Sequence, residues 1–555
     1  MNREVNAISN RMSLRSPQRE SLEILDRVCE LIPLSKERDL ETALRAIQSE
    51  FPTVTDFERH FPSLCFALAT GVGKTRLMGA FIAYLFRVEK IRHFFVLAPN
   101  LTIYNKLTTD FTPNTPKYVF QGIAEFATDP PVIITGDNYE SGLGVRDDSA
   151  KQQRFFDAGE VHINIFNISK INSEVRGGKA PRIKRLSEYI GESYFEYLAK
   201  LDDLVLIMDE SHRYRATAGV RAINELMPIL GLELTATPQV ESGSQSTPFK
   251  NVIYSYPLSD ALDDGFVKEP AVATRENFDA RNYDQQGLEK LKLEDGIRFH
   301  EHTKVELEVY ARENDKPIVK PFMLVVAQDT QHANALMRVI EDDSFFEGRY
   351  KGKVITVHSN IRGEEKDDVV AQLLSVEDRD NPVEIVVHVN MLKEGWDVTN
   401  LYTIVPLRAA NSRTLVEQSI GRGLRLPYGR RTNVPEVDRL TIVSHDRFQE
   451  IIDEANKPDS IIRTGIVIGR DVPNEKLKVV VVEPMVERVL MGGTDGDGGT
   501  QGALFDTPQE REVVRTALQV IRQYERLPRS SDLEKPDVQK ELVEKVNEIL
   551  SPRQR

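Results

Sequence analysis

Two parallel-sheet α/β lobes in tandem, with a helical insertion between them and a small α-rich C-terminal region, are the fold class this sequence predicts. Three observations carry that expectation. From about residue 60, short β-branched runs alternate with amphipathic stretches, the pattern of parallel strands joined by crossover helices. The alternation breaks off near residue 250 and resumes near residue 320. Within the first series, a glycine-containing turn ending in Gly-Lys-Thr follows a strand-like run and opens a helix-like one.

The elements fall out in order. Residues 1–60 read as an N-terminal helical segment. The first lobe, 61–250, offers strands at "SLCFALA", "HFFVLAP", "PVIITG", "HINIFNI", "DLVLIMD" and "GLELTAT", with "KTRLMGAFIAYLFRV" apolar at helical spacing. Residues 251–319 read as linker ("YPLSDALDDGFVKEP") and helical insertion ("KLKLEDGIRFHEHTKVELEVYAREND"). The second lobe, 320–445, has strands at "PFMLVVAQ", "KVITVHS", "VEIVVHV" and "YTIVPL". Past 445 the periodicity fades. "MGGTDGDGGTQGA" (491–503) reads as a flexible linker, and its Asp495-x-Asp497 lacks the Gly and Glu that a calcium loop requires. In the helix that follows, Thr507 is a good N-cap, Pro508 suits the first helical position and Glu510 completes a capping box.

A chain of 555 residues is too long for one core, and 40% hydrophobic with 28% charged residues is ordinary globular composition. The apolar runs are strand-length, so no membrane span is expected, and "MNREVNAISNRMS" lacks a signal-peptide stretch. Two cysteines give neither a disulfide framework nor metal spacing. A cytoplasmic location is the expectation. The net charge of −14 excludes a uniformly basic coat but not a local basic groove. One candidate is "RGGKAPRIKR" (176–185), which opens on Arg176 and Lys179, although a solvated loop accounts for it equally well.

The chemistry begins at "ALATGVGKTRL" (67–77). Between a strand and a helix, Thr70, Gly71, Val72 and Gly73 form a loop whose backbone N–H groups can curl around phosphate oxygens. Lys74 would neutralise the β- and γ-phosphates of ATP, and the Thr75 hydroxyl would ligate Mg²⁺. The second half is "LVLIMDESHRYRA" (204–216), an apolar run ending in two carboxylates. Asp209 would hold Mg²⁺ through its water shell, and Glu210 would take a proton from the attacking water. In "LELTATP" (232–238) the hydroxyls of Thr235 and Thr237 can bridge those carboxylates to whatever lies above them.

Taken together, A-T-G-V-G-K-T, D-E-S-H and T-A-T-P in that order resemble the superfamily 2 DEAD/DEAH-type helicases and translocases, which carry two RecA-like lobes. "QSIGRGLRLP" matches that family's Q-x-x-G-R-x-x-R through Gln418, Gly421, Arg422 and Arg425. The resemblance makes these arginines reach across the cleft to the phosphates, and gives His212 a coupling role beside the two threonines. "LRSPQRESLEIL" (14–25) looks like the adenine-reading element, with Gln18 as reader. "LAPNLTIYNKL", with Pro99 and Asn100, and "NISKINSE", with Lys170, look like segments that contact a nucleic-acid strand. Within the superfamily the chain is most similar to the type III restriction enzyme motor (Res) subunit, over roughly residues 14–445. "LKEGWDVTNL" is part of that likeness and places Gly395 and Asp397 on the ATP side of a coupling loop. Trp396, the one tryptophan, is either that loop's packing anchor or a nucleic-acid contact.

The resemblance implies a DNA-stimulated ATPase moving along double-stranded DNA, in a restriction-modification or related phage-defence system, with a DNA methyltransferase partner. Family members that cleave DNA carry a nuclease domain beyond the motor. This chain ends about 130 residues past Arg425, and "KPDVQKELVEK" has a Pro-Asp without the acid-x-Lys that should follow. The expectation is a nuclease domain that is missing or lies on a separate chain. An ATP-gated switch without motor activity would use the same loop and carboxylates, but not the strand-contacting segments. An RNA helicase is disfavoured by Glu-Ser-His where RNA-unwinding relatives have Glu-Ala-Asp.

Overall fold

Six apolar runs of the first series become six parallel strands of one sheet, five of them buried along nearly their whole length and the edge strand β3 over its second half. The computed structural model describes residues 2–139, 160–167, 194–215, 217–242, 245–276, 278–358, 375–389, 398–407, 423–445, 464–468, 493–494, 500–501, 507–521 and 535–550. The strands are β1 (Ser63–Leu68), β2 (His93–Ala98), β3 (Val132–Thr135), β4 (His162–Asn167), β5 (Leu204–Asp209) and β6 (Leu230–Thr235). After a hairpin, β7 (Gln239–Ser242) and β8 (Gln245–Pro248), comes β9 (Val252–Tyr256). The sheet runs β3-β4-β2-β5-β6-β1-β9, so β1 and β5, the strands that deliver the two site motifs, flank β6.

Three N-terminal helices, α1 (Arg3–Arg11), α2 (Ser16–Leu31) and α3 (Leu40–Glu50), precede the sheet. Val5, Ile8, Leu22, Leu25, Val28 and Ile47 join one core with the apolar face of α4 (Lys74–Arg87), the helix opened by Gly-Lys-Thr. The N-terminal segment is thereby part of the first lobe.

The second sheet is also parallel and runs β12-β13-β11-β14-β15-β10-β16. Its members are β10 (Glu269–Arg275), β11 (Phe322–Val326), β12 (Val354–His358), β13 (Ile385–Val389), β14 (Leu401–Pro406), β15 (Arg439–Val443) and β16 (Thr464–Ile468). Here the domain boundaries shift from those expected. Residues 251–319 are shared out: β9 pairs with β1 in the first sheet, while β10 pairs with β15 and β16 in the second. The helical stretch is one helix, Gln285–Glu313, held to the second lobe because Leu293 and Ile297 join the core of Met323, Val325 and Val405. Likewise β16 draws part of the expected C-terminal region into the second sheet.

Residues from Glu475 onward form a separate compact unit. Its described helices, Pro508–Ile521 and Pro536–Leu550, fit the expected α-rich region. The expected capping box is present: Thr507 N–H donates to Glu510 Oε2 (3.1 Å) and Glu510 N–H to Thr507 Oγ1 (3.2 Å). Among the described residues, no helix is long and apolar enough to cross a membrane.

Candidate nucleotide site

At the C-terminal end of β1 the chain needs two sharp reversals to start α4, and glycine supplies both. Gly71 has φ +84° and Gly73 φ +99°, a left-handed conformation with no Cβ penalty only for glycine. Space also forbids a side chain. A Cβ on Gly73 would lie 2.6 Å from Gln18 Nε2, and one on Gly71 would lie 2.8 Å from Val267 Cγ1. Val72 is buried between them, and Thr70 and Thr75 flank the turn half-buried. Lys74 is the first residue of α4, where the helix terminus favours a negative ligand.

Across the sheet, β5 ends at Asp209 and the chain turns at once into a 3-10 turn, Ser211–Tyr214. The turn puts Glu210 at φ +50°, ψ +54°, a strained conformation for a residue other than glycine and one that recurs at functional sites. The strain aims its carboxylate at the loop: Glu210 Oε1 lies 3.2 Å from Lys74 Nζ. Asp209 is buried beside it, and burial, followed by the charge of Glu210, pushes its carboxyl up to about 6. Lys74 and Lys106 pull the other way.

His212 stands at the far side of Glu210, with Nδ1 3.6 Å from Glu210 Oε2. The same nitrogen is 3.0 Å from Thr235 Oγ1 and 3.4 Å from Thr237 Oγ1. Lys74, Glu210, His212, Thr235 and Thr237 therefore form one continuous chain of polar contacts from the phosphate loop to the end of β6. Sequence spacing alone could not supply that continuity.

The N-terminal segment grips the loop from outside. Gln18 is buried and its amide is engaged at both ends: Nε2 donates to the Gly73 carbonyl (2.8 Å), and Oε1 accepts from Arg15 N–H (2.8 Å). In this structure Gln18 is a strut beneath the loop, with one N–H and one oxygen lone pair of its amide left over for a further partner. Arg15 was not anticipated. Its Nη1 donates to the Gly71 carbonyl (2.7 Å) and its Nη2 to the Gly429 carbonyl of the second lobe (2.8 Å). Of the second-lobe arginine element, Arg425 is described; Val267 and Arg425 form an antiparallel bridge. Arg425 is close enough to Arg15 to lower its pKa, after burial and Arg76.

Other expected residues stand apart. Asn100 spends its side-chain oxygen capping helix Leu101–Phe111 through the Ile103 N–H (2.9 Å), with Pro99 just before it. Lys170, Arg176, Lys179, Gly395, Trp396, Asp397, Gln418 and Arg422 lie outside the described residues.

A buried ion network behind the turn also escaped notice. Glu233, fully buried in β6, accepts from Ser63 Oγ (2.7 Å), Asn251 Nδ2 (3.2 Å) and Arg215 Nη2 (2.6 Å), with Arg59 Nε at 3.4 Å. The one available signal was a single acid inside the apolar run "LGLELT".

Residues 11–240 match the family model described as "Type III restriction enzyme, res subunit". The EcoP15I Res subunit of the type III restriction-modification enzyme of Escherichia coli is 30% identical over 167 residues, 23% of this chain and 16% of that protein. The EcoPI Res subunit of Escherichia phage P1 is 30% identical over 105 residues, 19% of this chain and 11% of that protein. The chain thus spans less than a fifth of the length of either relative in these matches. Among solved structures, the ATP-dependent type ISP restriction-modification enzyme LlaBIII bound to DNA is 15% identical, covering 79% of this chain and 32% of that one, with a TM-score of 0.42. The phosphate loop, the Asp-Glu-Ser-His turn and the Thr-Ala-Thr-Pro strand end all lie inside the span that is similar to the type III restriction enzyme Res subunit.

Proposed function

We propose that this chain is the ATP-hydrolysing motor of a Res-type system, with hydrolysis stimulated by double-stranded DNA and coupled to movement along it. The carrying observation is the convergence of Lys74, Asp209 and Glu210 at one glycine-built loop, with Lys74 Nζ 3.2 Å from Glu210 Oε1.

The residues present fit ATP and Mg²⁺. Backbone N–H groups at a helix start suit phosphate oxygens. Thr75 and Asp209 offer hard oxygen donors, and Asp209, pushed up to about 6 beside Glu210, is a carboxylate pair in want of positive charge. Magnesium, when bound, supplies that charge and neutralises the phosphates. Lys74 exchanges Glu210 for the terminal phosphate, which frees the Glu210 carboxylate. Glu210 then accepts a proton from water as the water oxygen bonds to the terminal phosphorus and the bond to the departing diphosphate breaks. His212 holds Glu210 in place and links it to Thr235 and Thr237. Arg425, with Gln418 and Arg422 as its motif partners, brings positive charge from the other lobe, so hydrolysis depends on both lobes. Gln18 reads adenine, and Gly395 and Asp397 serve the ATP side of their loop.

Phosphate contacts dominate the grip on DNA, through the segment of Pro99 and Asn100 and through Lys170, Arg176 and Lys179, with Trp396 either anchoring its loop or touching the nucleic acid, so binding falls with salt. Sequence recognition belongs to a methyltransferase partner and DNA cleavage to another segment or chain, all in the cytoplasm. The test is ATP turnover without nucleic acid and then with duplex DNA, single-stranded DNA or RNA. Duplex DNA should stimulate most. No stimulation by any of them removes the motor, and stimulation by RNA alone removes DNA as the track. Lys74→Ala should lower kcat by about 100-fold or more in the same assay.

A further inference from the structure

Phe266, Val267 and Lys268 run between the lobes, after the short helix Leu258–Asp263 and immediately before β10. Toward the first lobe this segment touches the phosphate loop. Val267 Cγ1 occupies the space that a side chain on Gly71 would need, and the Phe266 ring lies under the Arg15 guanidinium, 4.7 Å from its centroid. Toward the second lobe, Val267 bridges Arg425 and Lys268 N–H donates to the Leu424 carbonyl (2.7 Å). Arg431 Nε donates to the Val267 carbonyl (3.3 Å) and its Nη2 to the Leu262 carbonyl (2.9 Å).

The Lys268 side chain is wholly buried. Its Nζ donates to the carbonyls of Thr399 (2.6 Å) and Leu401 (2.8 Å) and sits 3.7 Å from the centroid of the Tyr402 ring. Both acceptors are backbone oxygens at the start of β14. Burying a lysine this way is costly, and packing alone would be served better by an apolar side chain of the same length. What the amine adds is direction: it fixes the start of β14 to the segment, whose backbone is held to Leu424 and Arg425. Burial holds the group well below the ordinary lysine range, against Asp438 and Glu377, but either protonation state has N–H donors enough for two carbonyls.

We infer that Lys268 is a positioning residue for hydrolysis, holding Arg425 in register with the phosphate loop through the Phe266–Lys268 strap. The inference rests on the proposed ATPase reading. If wild-type protein does not turn over ATP, that reading fails; if wild type turns over and the strap variants do so equally well, only this inference fails.

The experiment uses the full chain with Lys268→Met, Val267→Ala and, as a control elsewhere in the second lobe, Lys304→Met. Lys268→Met should keep the affinity for a fluorescent ADP analogue within about twofold while DNA-stimulated kcat falls about 10-fold or more. In nucleotide-free protein the amides of Lys268 and of residues 401–402 should exchange about 10-fold faster or more than in wild type, a loosening confined to the strap. Val267→Ala, which keeps the backbone bridge to Arg425 but trims the buried side chain packed on the loop, should lower kcat per folded molecule about threefold with only a modest fall in melting temperature, and it decides the matter if Lys268→Met does not fold. Lys304→Met should stay within twofold. The inference is overturned if Lys268→Met keeps kcat within twofold, if its loss merely tracks the folded fraction or weakened nucleotide binding, or if Val267→Ala is indistinguishable from wild type.

Discussion

A buried carboxylate gathers a ring of donors in each lobe, and the two rings do different work. Glu233 in β6 holds Arg59 and Arg215, side chains with almost no solvent access. Arg215 closes the turn that begins at Glu210 and Ser63 opens β1, so the first ring clamps together both strands that deliver the site. Glu384, just before β13, accepts from Lys304 (2.8 Å) and Lys353 (2.7 Å) and lies 3.2 Å from His300 Nε2. Those partners come from helix Gln285–Glu313 and the approach to β12, and among the described residues no site residue touches them. Lys304 and Lys353 keep about a third of their side-chain surface in water (32% and 34%), so each can swing outward, whereas Arg59 cannot. The first ring ties buried charge to the turn that carries Asp209 and Glu210; the second is a clasp away from it.

The hardest way to break the contrast is Glu233→Gln. It leaves two guanidinium groups buried beside a neutral amide, and removing one partner from such a pair costs roughly 3–5 kcal/mol. Denaturant unfolding should show that loss. ATP turnover by the protein that remains folded should also fall, because the strained Glu210 turn loses its brace at Arg215. Destabilisation with normal turnover per folded molecule would break the assignment of this ring to the site.

The residues that sequence alone revealed are those whose information is local. Lys74, Asp209 and Glu210 sit in short motifs at strand ends, and the first six strands announce themselves as short apolar, β-branched runs, even the half-buried edge strand β3. β9 and β10 hid in what read as linker for opposite reasons. β9 is an edge strand with mixed burial, and β10 carries Pro270 inside it, which argues against a central strand although it pairs on both sides. The Glu233 ring, the Arg15 grip and the Lys268 strap join residues far apart in the chain. Arg15 and Gly429 lie 414 positions apart, and nothing in a local window marks such a contact. Gln18 shows a further limit, since its position was legible while its present partner, the Gly73 carbonyl, was not.

The smallest effect belongs to the clasp, and pH sharpens it. Glu384→Gln should cost about 1–3 kcal/mol, toward the lower end because two of its partners can rehydrate, and should leave ATP turnover within twofold. His300, Lys304 and Lys353 hold the Glu384 carboxyl below the ordinary carboxylate range against its burial. A depressed folded-state pKa means that wild type gains its extra stability above the unfolded carboxylate value, about 4.3, and loses it as pH falls toward the folded value. The gap in unfolding free energy between wild type and Glu384→Gln should therefore narrow as pH falls below about 4. A gap that widens below about pH 4 would mean that the carboxyl is stabilised in its neutral form, and that the lysines are not its partners in solution.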